Sequence, residues 1–224
     1  MLSPIAERAG GNLKAMQVDF ASSITISLPE NVEALVIRLG PPDERLSDEE
    51  FEELAARYPE LRIEMSSEGE VIMMAPVATE GGNRNFTLTG RCAAWVEADN
   101  TGVGFDSSTG FTLPNGAKRS PDVSWMRRER WNALSDAQKN TFALICPDFV
   151  VELRSKSDRL ITLQRKMEEY LANGAQLGWL IDPLEKKVHI YRPHAPTEIL
   201  DNPPEISGDP LLKGLILKLD GILN

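Results

Sequence analysis

A mixed α/β or α+β architecture, a mixed β-sheet flanked by few helices, is what this sequence predicts. Short β-branched or alternating runs recur along the chain, apolar stripes at helical spacing separate them, and no internal repeat is present. With 224 residues, 42% hydrophobic and 26% charged, the chain is sized for one domain with appended arms and can bury a real core.

Residues 1–23 show no periodicity and read as a loose N-terminal arm. The run from Ile24 to Leu28 then alternates with period two, and Leu35 to Leu39 is a β-branched run stopped by Gly40-Pro41-Pro42. Ser47 followed three residues later by Glu50 has the spacing of a capping box, and Phe51, Leu54 and Ala55 supply an apolar helix face before Pro59. Leu61 to Met65 and Val71 to Ala75 form a hairpin across Ser66-Ser67-Glu68-Gly69, ended by Pro76. Leu88, Cys92, Trp95 and Val96 mark an amphipathic helix over about 80–98.

Gly102 to Asp106 and Phe111 to Leu113 suggest a further strand pair, and Ser120-Pro121-Asp122 turns into a strand through Trp125. A basic helical segment containing Trp131 precedes the apolar run Phe149 to Leu153. Leu160, Leu163, Met167, Tyr170 and Leu171 make a second helical stripe, closed by Asn173-Gly174. Leu177 to Ile181 and Lys187 to Tyr191 read as another hairpin, before a Pro/Gly-rich stretch over 203–210 and a last apolar segment, Leu215 to Leu219. The expected division is an arm over 1–23, a main domain over 24–195 and a C-terminal extension over 196–224 packed on that domain.

Several function classes drop out. Cys92 and Cys146 have no paired spacing, which excludes a disulfide framework or structural zinc as organising feature, and His189 and His194 build no nucleophilic triad. No apolar run approaches the ~18 residues of a membrane span, and Met1 to Arg8 lacks a signal pattern, so a cytoplasmic chain with no membrane partner is expected. A net charge of −10 argues against a broad basic face. The charge is uneven: eleven acids lie within 43–70, whereas Lys118, Arg119, Arg127, Arg128 and Arg130, then Arg154, Lys156, Arg159, Arg165 and Lys166, form two basic clusters.

Glu152 is the residue that demands explanation, because it interrupts a run that should be buried, where a carboxylate must be paired, protonated or metal-bound. Asp122 opens a second strand after Pro121, at a sheet end. Two carboxylates from neighbouring strands repel unless a divalent cation holds both, and hard oxygen ligands suit Mg²⁺ or Mn²⁺. A turn Asp, and a strand Glu paired with Arg154 or Arg165, is the plainer alternative; Lys166, at the border of its stripe, is likewise either a site residue or a lysine reaching for solvent. Trp125 and Trp131, beside Arg127 and Arg128, are candidates for base contact, while Trp95 and Trp179 belong to the core.

Ser120-Pro121-Asp122, then Val151-Glu152-Leu153-Arg154-Ser155, then Lys166 with Tyr170, Gly174 and Trp179 to Pro183, resembles the Uma-type restriction endonuclease family of the PD-(D/E)xK nuclease superfamily. The likeness runs from about Leu61 to Arg192 and takes in Arg62-Ile63-Glu64, Gly69-Glu70 and Gly81 to Asn85. It implies a restriction-endonuclease-like core with an N-terminal β/α extension, and a Mg²⁺-dependent (or Mn²⁺-dependent) endonuclease acting on DNA. Asp122 and Glu152 would be the metal ligands, Lys166 the cationic group beside them and Glu64 a further member of the site. Arg154 stands where the superfamily has its strand lysine, so the alternative is an impaired nuclease fold serving as a DNA-binding or protein-interaction module. Lys118, Arg119, Arg127, Arg128 and Arg154 are the expected nucleic-acid contacts, and a homodimer is compatible with the reading.

Overall fold

The computed structural model describes residues 13–20 and 22–29 by their backbone, and 34–39, 45–59, 61–74 and 76–224 in full. Strands β1 (Leu13–Phe20) and β2 (Ser22–Pro29) form an antiparallel pair, so part of the expected loose arm is a strand; residues 1–12 lie outside the described residues, as does the Gly40-Pro41-Pro42 stop. After β3 (Ala34–Arg38) comes helix α1 (Asp48–Arg57), whose start is fixed chemically. Ser47 Oγ accepts from the Glu50 N–H at 3.2 Å, and Glu50 Oε2 accepts from the Ser47 N–H at 2.8 Å, so two backbone donors that the helix cannot satisfy are paired. Strands β4 (Arg62–Met65) and β5 (Glu70–Met74) form the expected hairpin, with Gly69 at φ +82 in its turn.

Helix α2 (Thr79–Asp99) ends at Asn100 in the left-handed region and leads to β6 (Gly102–Asp106), β7 (Phe111–Thr112), β8 (Lys118–Arg119) and β9 (Val123–Arg127). Short helices α3 (Arg128–Asn132) and α4 (Asp136–Lys139) precede β10 (Phe149–Leu153), α5 (Leu160–Ala172), β11 (Leu177–Asp182) and β12 (Lys187–Tyr191). The chain closes with β13 (Glu198–Asp201), β14 (Glu205–Ser207) and β15 (Ile216–Lys218), the last two paired with each other.

Two larger sheets carry the molecule, a six-stranded one in the order β13-β12-β11-β10-β9-β6 and a five-stranded one in the order β3-β5-β4-β8-β7. Within the first, β10 and β11 run parallel with α5 as their crossover, and the other pairs are antiparallel, which makes the sheet mixed. The strand pair expected between 102–106 and 111–113 does not form: β6 pairs with β9, and β7 with the two-residue β8. A two-residue strand has no period to read, so β8 left no sign in the sequence.

Alternation along β10 sorts its side chains. Phe149 and Val151 pack with Leu88 and Cys92 of α2 and with Leu212 to Leu223 of the C-terminal segment, while Val150 faces Leu163, Met167 and Tyr170 of α5. Glu152 shares Val150's face and is thereby delivered, buried, to α5. In the second sheet, Ile63, Met65, Val71 and Met73 pack under Phe51 and Leu54 of α1, which leaves Arg62 and Glu64 of β4 on the opposite face.

Candidate active site

Helical spacing places Lys166 and Tyr170 one turn apart on α5, and both reach the same atom. Lys166 Nζ lies 2.8 Å from Glu152 Oε1, and the Tyr170 hydroxyl donates to that oxygen at 3.0 Å. Lys166 Nζ also donates to Glu64 Oε1 at 2.8 Å, tying β4 of one sheet to β10 of the other. Glu64 is further held by the Ser120 N–H at 3.0 Å and by Arg119 Nη1 at 3.2 Å, and Arg119 Nε pairs with Glu169 at 2.6 Å. Asp122 continues the β9–β10 ladder, its N–H donating to the Val151 carbonyl, and its Oδ2 accepts from the Leu153 N–H at 2.8 Å. Its Oδ1 pairs with Arg62 Nη1 at 2.9 Å, while Arg62 Nη2 donates to the Ser120 carbonyl and lies 3.8 Å from Glu64 Oε1.

Charge does not balance in this cluster. Four carboxylates (Glu64, Asp122, Glu152 and Glu169) share three cations (Arg62, Arg119 and Lys166). The imbalance falls on Glu152: burial, reinforced by Asp122 and Glu64 against the pull of Lys166 and Arg62, pushes its carboxyl up to about 7. Glu64 is as deeply buried, but Lys166, then Arg119 and Arg62, overcome that burial and lower it to about 2. Burial and the Glu152 carboxylate likewise push the Tyr170 hydroxyl well up, so it serves as a hydrogen-bond donor.

The set fits a divalent cation on this ground. Asp122 and Glu152 are hard oxygen donors in a cluster one positive charge short, and Mg²⁺ is commonly held by one or two carboxylates while keeping several waters. Among the described residues no group of three or more His, Cys, Asp or Glu side chains is placed to hold a metal.

A groove of about 1170 Å³ opens beside the cluster, and Asp122, Arg62, Ser120 and Leu153 form its wall. Arg84 and Glu80 of α2, Lys139 of α4, and Arg154 and Lys156 of the β10–α5 loop also line it. Lys156 is 81% exposed at its side chain and pairs with Glu80 at 3.1 Å.

The structure brings Glu64, Asp122, Glu152 and Lys166 together, and places Lys118, Arg119, Arg127 and Arg128, four of the five expected nucleic-acid contacts, outside the groove lining. Lys118 is fully buried, its Nζ 2.8 Å from both Asp48 Oδ1 and Thr112 Oγ1, so it cannot meet a phosphate. Arg119 is committed to Glu64 and Glu169. Arg127 and Arg128 sit at the far end of β9 from Asp122, ~17 Å away at ~3.4 Å per residue. There Arg127 pairs with Asp148, and Arg128 bonds the Gly102 carbonyl and Asn100. Trp125 is core, buried with Phe149 and Trp179, and Trp131 packs on Phe105. Arg154 does border the groove, but its guanidinium is spent on buried Asp182 at 2.7 Å.

Three contributors to the cluster have no role assigned to them there by the sequence. Arg62 stands two residues before Glu64 on an alternating strand and so on the same face, a signal that was available. Tyr170 stands four after Lys166, equally legible. The Arg119–Glu169 pair joins β8 to α5 across fifty residues and has no local signature.

Comparison with known proteins agrees with this architecture. A crystal structure described as a "putative nuclease belonging to DUF820" from Anabaena variabilis ATCC 29413 superposes with a TM-score of 0.65 at 23% identity, covering 80% of this chain and 97% of that one. At that identity the likeness is one of fold. No curated protein matches the sequence. The family model described as "Uma2: Putative restriction endonuclease" matches residues 48–220, and by that match, which spans most of its length, the chain belongs to the Uma2 family.

Proposed function

We propose that the protein is a metal-dependent endonuclease that hydrolyses phosphodiester bonds of DNA at the Asp122–Glu152 centre. The observation that carries this reading is the charge-deficient carboxylate cluster at the wall of a groove lined by Arg84, Lys139 and Lys156. Asp122 and Glu152 would hold Mg²⁺ or Mn²⁺. Bound there, the cation would neutralise the scissile phosphate and lower the pKa of an attacking water.

The remaining work falls to side chains already in place. Tyr170 fixes the orientation of Glu152 through its hydroxyl, and the Leu153 N–H does the same for Asp122. Glu64, ionised at neutral pH and anchored by Ser120 and Arg119, holds Lys166 against the Glu152 carboxylate. From there the ammonium can donate to the attacking water or to the phosphate. In this reading the lysine of the PD-(D/E)xK pattern has moved from the strand position of Arg154 to α5. The groove gives an acidic protein a local surface for the nucleic-acid backbone.

Incubation of plasmid and single-stranded DNA with the protein, in Mg²⁺ or in EDTA, tests the proposal. Cleavage confined to Mg²⁺ and abolished by Asp122→Asn is the expected result. DNA binding without cleavage under either condition would favour the non-enzymatic reading.

A further inference from the structure

Both oxygens of Asp122 are taken, but by partners of different kinds. Oδ2 is anchored to the Leu153 N–H, part of the rigid ladder between neighbouring strands, whereas Oδ1 faces only the tip of a long side chain, Arg62 Nη1 at 2.9 Å. Arg62 is 27% exposed at its side chain and lines the same groove as Asp122. Its Nε is buried with no hydrogen-bond partner, so the guanidinium is hydrogen-bonded through Nη1 to Asp122 and through Nη2 to the Ser120 carbonyl, with Glu64 Oε1 a looser ion-pair partner at 3.8 Å. Among the described residues it is the cation paired with Asp122.

We infer that Arg62 is a positioning residue acting as a resident counter-cation, occupying the Asp122 oxygen that a divalent ion needs and leaving it when that ion enters. The inference rests on the cation site proposed above and adds a competitor to it. Arginine stays charged at any pH the fold survives, so it cannot vacate Asp122 by losing a proton; it must move. A divalent ion on Oδ1 would repel the guanidinium held beside it, which couples entry of the ion to departure of Arg62. The groove beside Arg62 gives the guanidinium a destination, and a backbone phosphate lying there would accept it through two parallel hydrogen bonds. A phosphate in the groove therefore favours the ion on Asp122, and by reciprocity the ion favours the phosphate.

Calorimetric titration of the full chain with Mn²⁺ tests the exchange, using the parent, Arg62→Met and Arg62→Lys. Removing the competitor should tighten Mn²⁺ binding by about ten-fold or more in Arg62→Met, while Arg62→Lys, which restores a cation, stays near the parent. Binding to the parent that is equal or tighter than to Arg62→Met would overturn the exchange and leave the cation site standing. Absence of Mn²⁺ binding to the parent would remove the site itself and the exchange with it. Should Arg62→Met not fold, NMR of the arginine side chains in the parent supplies the same test. The Arg62 Nη protons should be restrained without Mg²⁺ and freed on its addition, and an Arg62 signal unchanged at saturating Mg²⁺ would overturn the inference.

Discussion

Replacing Glu152 by glutamine should stabilise the metal-free protein above neutral pH, even though Glu152 pairs with Lys166 and accepts from Tyr170. Burial, reinforced by Asp122, raises the Glu152 carboxyl from 4.5 to about 7. Through that window the folded protein keeps a proton that the unfolded chain has released, so the associated stability is full below pH 4.5 and is lost as the pH rises through 7. At about 1.4 kcal/mol per pH unit, the loss is about 3 kcal/mol. Glu64 has the opposite sign: lowered from 4.5 to about 2, it contributes stability that is present above pH 4.5 and lost as the pH falls towards 2. The two carboxylates together place the cluster's best pH near 4.5, well below neutrality.

Glutamine keeps the shape of Glu152 and an acceptor for Tyr170 while removing the charge that resists burial. Urea unfolding in EDTA should show the parent losing about 3 kcal/mol between about pH 5 and about pH 8, with Glu152→Gln free of that loss. For a chain of this size the variant's melting temperature at about pH 8 should exceed the parent's by about 6–12 °C. Parent and variant curves that run parallel across this range, or a variant less stable than the parent at the alkaline end, would refute the argument.

Other outcomes follow from the same geometry. Lys166→Met should abolish cleavage while leaving DNA binding intact, as read by a gel-shift assay beside the plasmid assay. Arg154→Ala should instead leave the cleavage rate per folded molecule near the parent's and cost about 3 kcal/mol in urea unfolding, because fully buried Asp182 loses its counter-charge. Reversing charge at Arg84 and Lys156 should weaken DNA binding and reduce the slope of log K against log salt by about 2, whereas reversal at Arg127 and Arg128 should leave that slope unchanged.

What the sequence made legible is what period and burial encode. Glu152 betrayed itself by interrupting an apolar run, Asp122 by following Pro121, and Lys166 by standing at the edge of a helical stripe; the structure sets all three side by side. The mixed architecture, the capping box of α1 and the hairpin β11–β12 were equally readable. The basic surface was not. A cluster of charges in sequence carries no direction, and β8, two residues long, turns Lys118 and Arg119 inward to meet Asp48, Glu64 and Glu169. The groove instead draws Arg84, Lys139 and Lys156 from separate helices and loops, a grouping made only by the fold.

The most direct test of the central claim, that Asp122 and Glu152 act as one cation-dependent centre for phosphodiester hydrolysis, is a single-turnover cleavage measurement in Mg²⁺ on the parent, Asp122→Asn, Glu152→Gln and the double variant. Each single substitution should remove nearly all activity, and the double variant should be no slower than either, since the second carboxylate has nothing left to do once the first is gone. Parent-like cleavage by either single variant, or losses that multiply in the double variant, would contradict the claim.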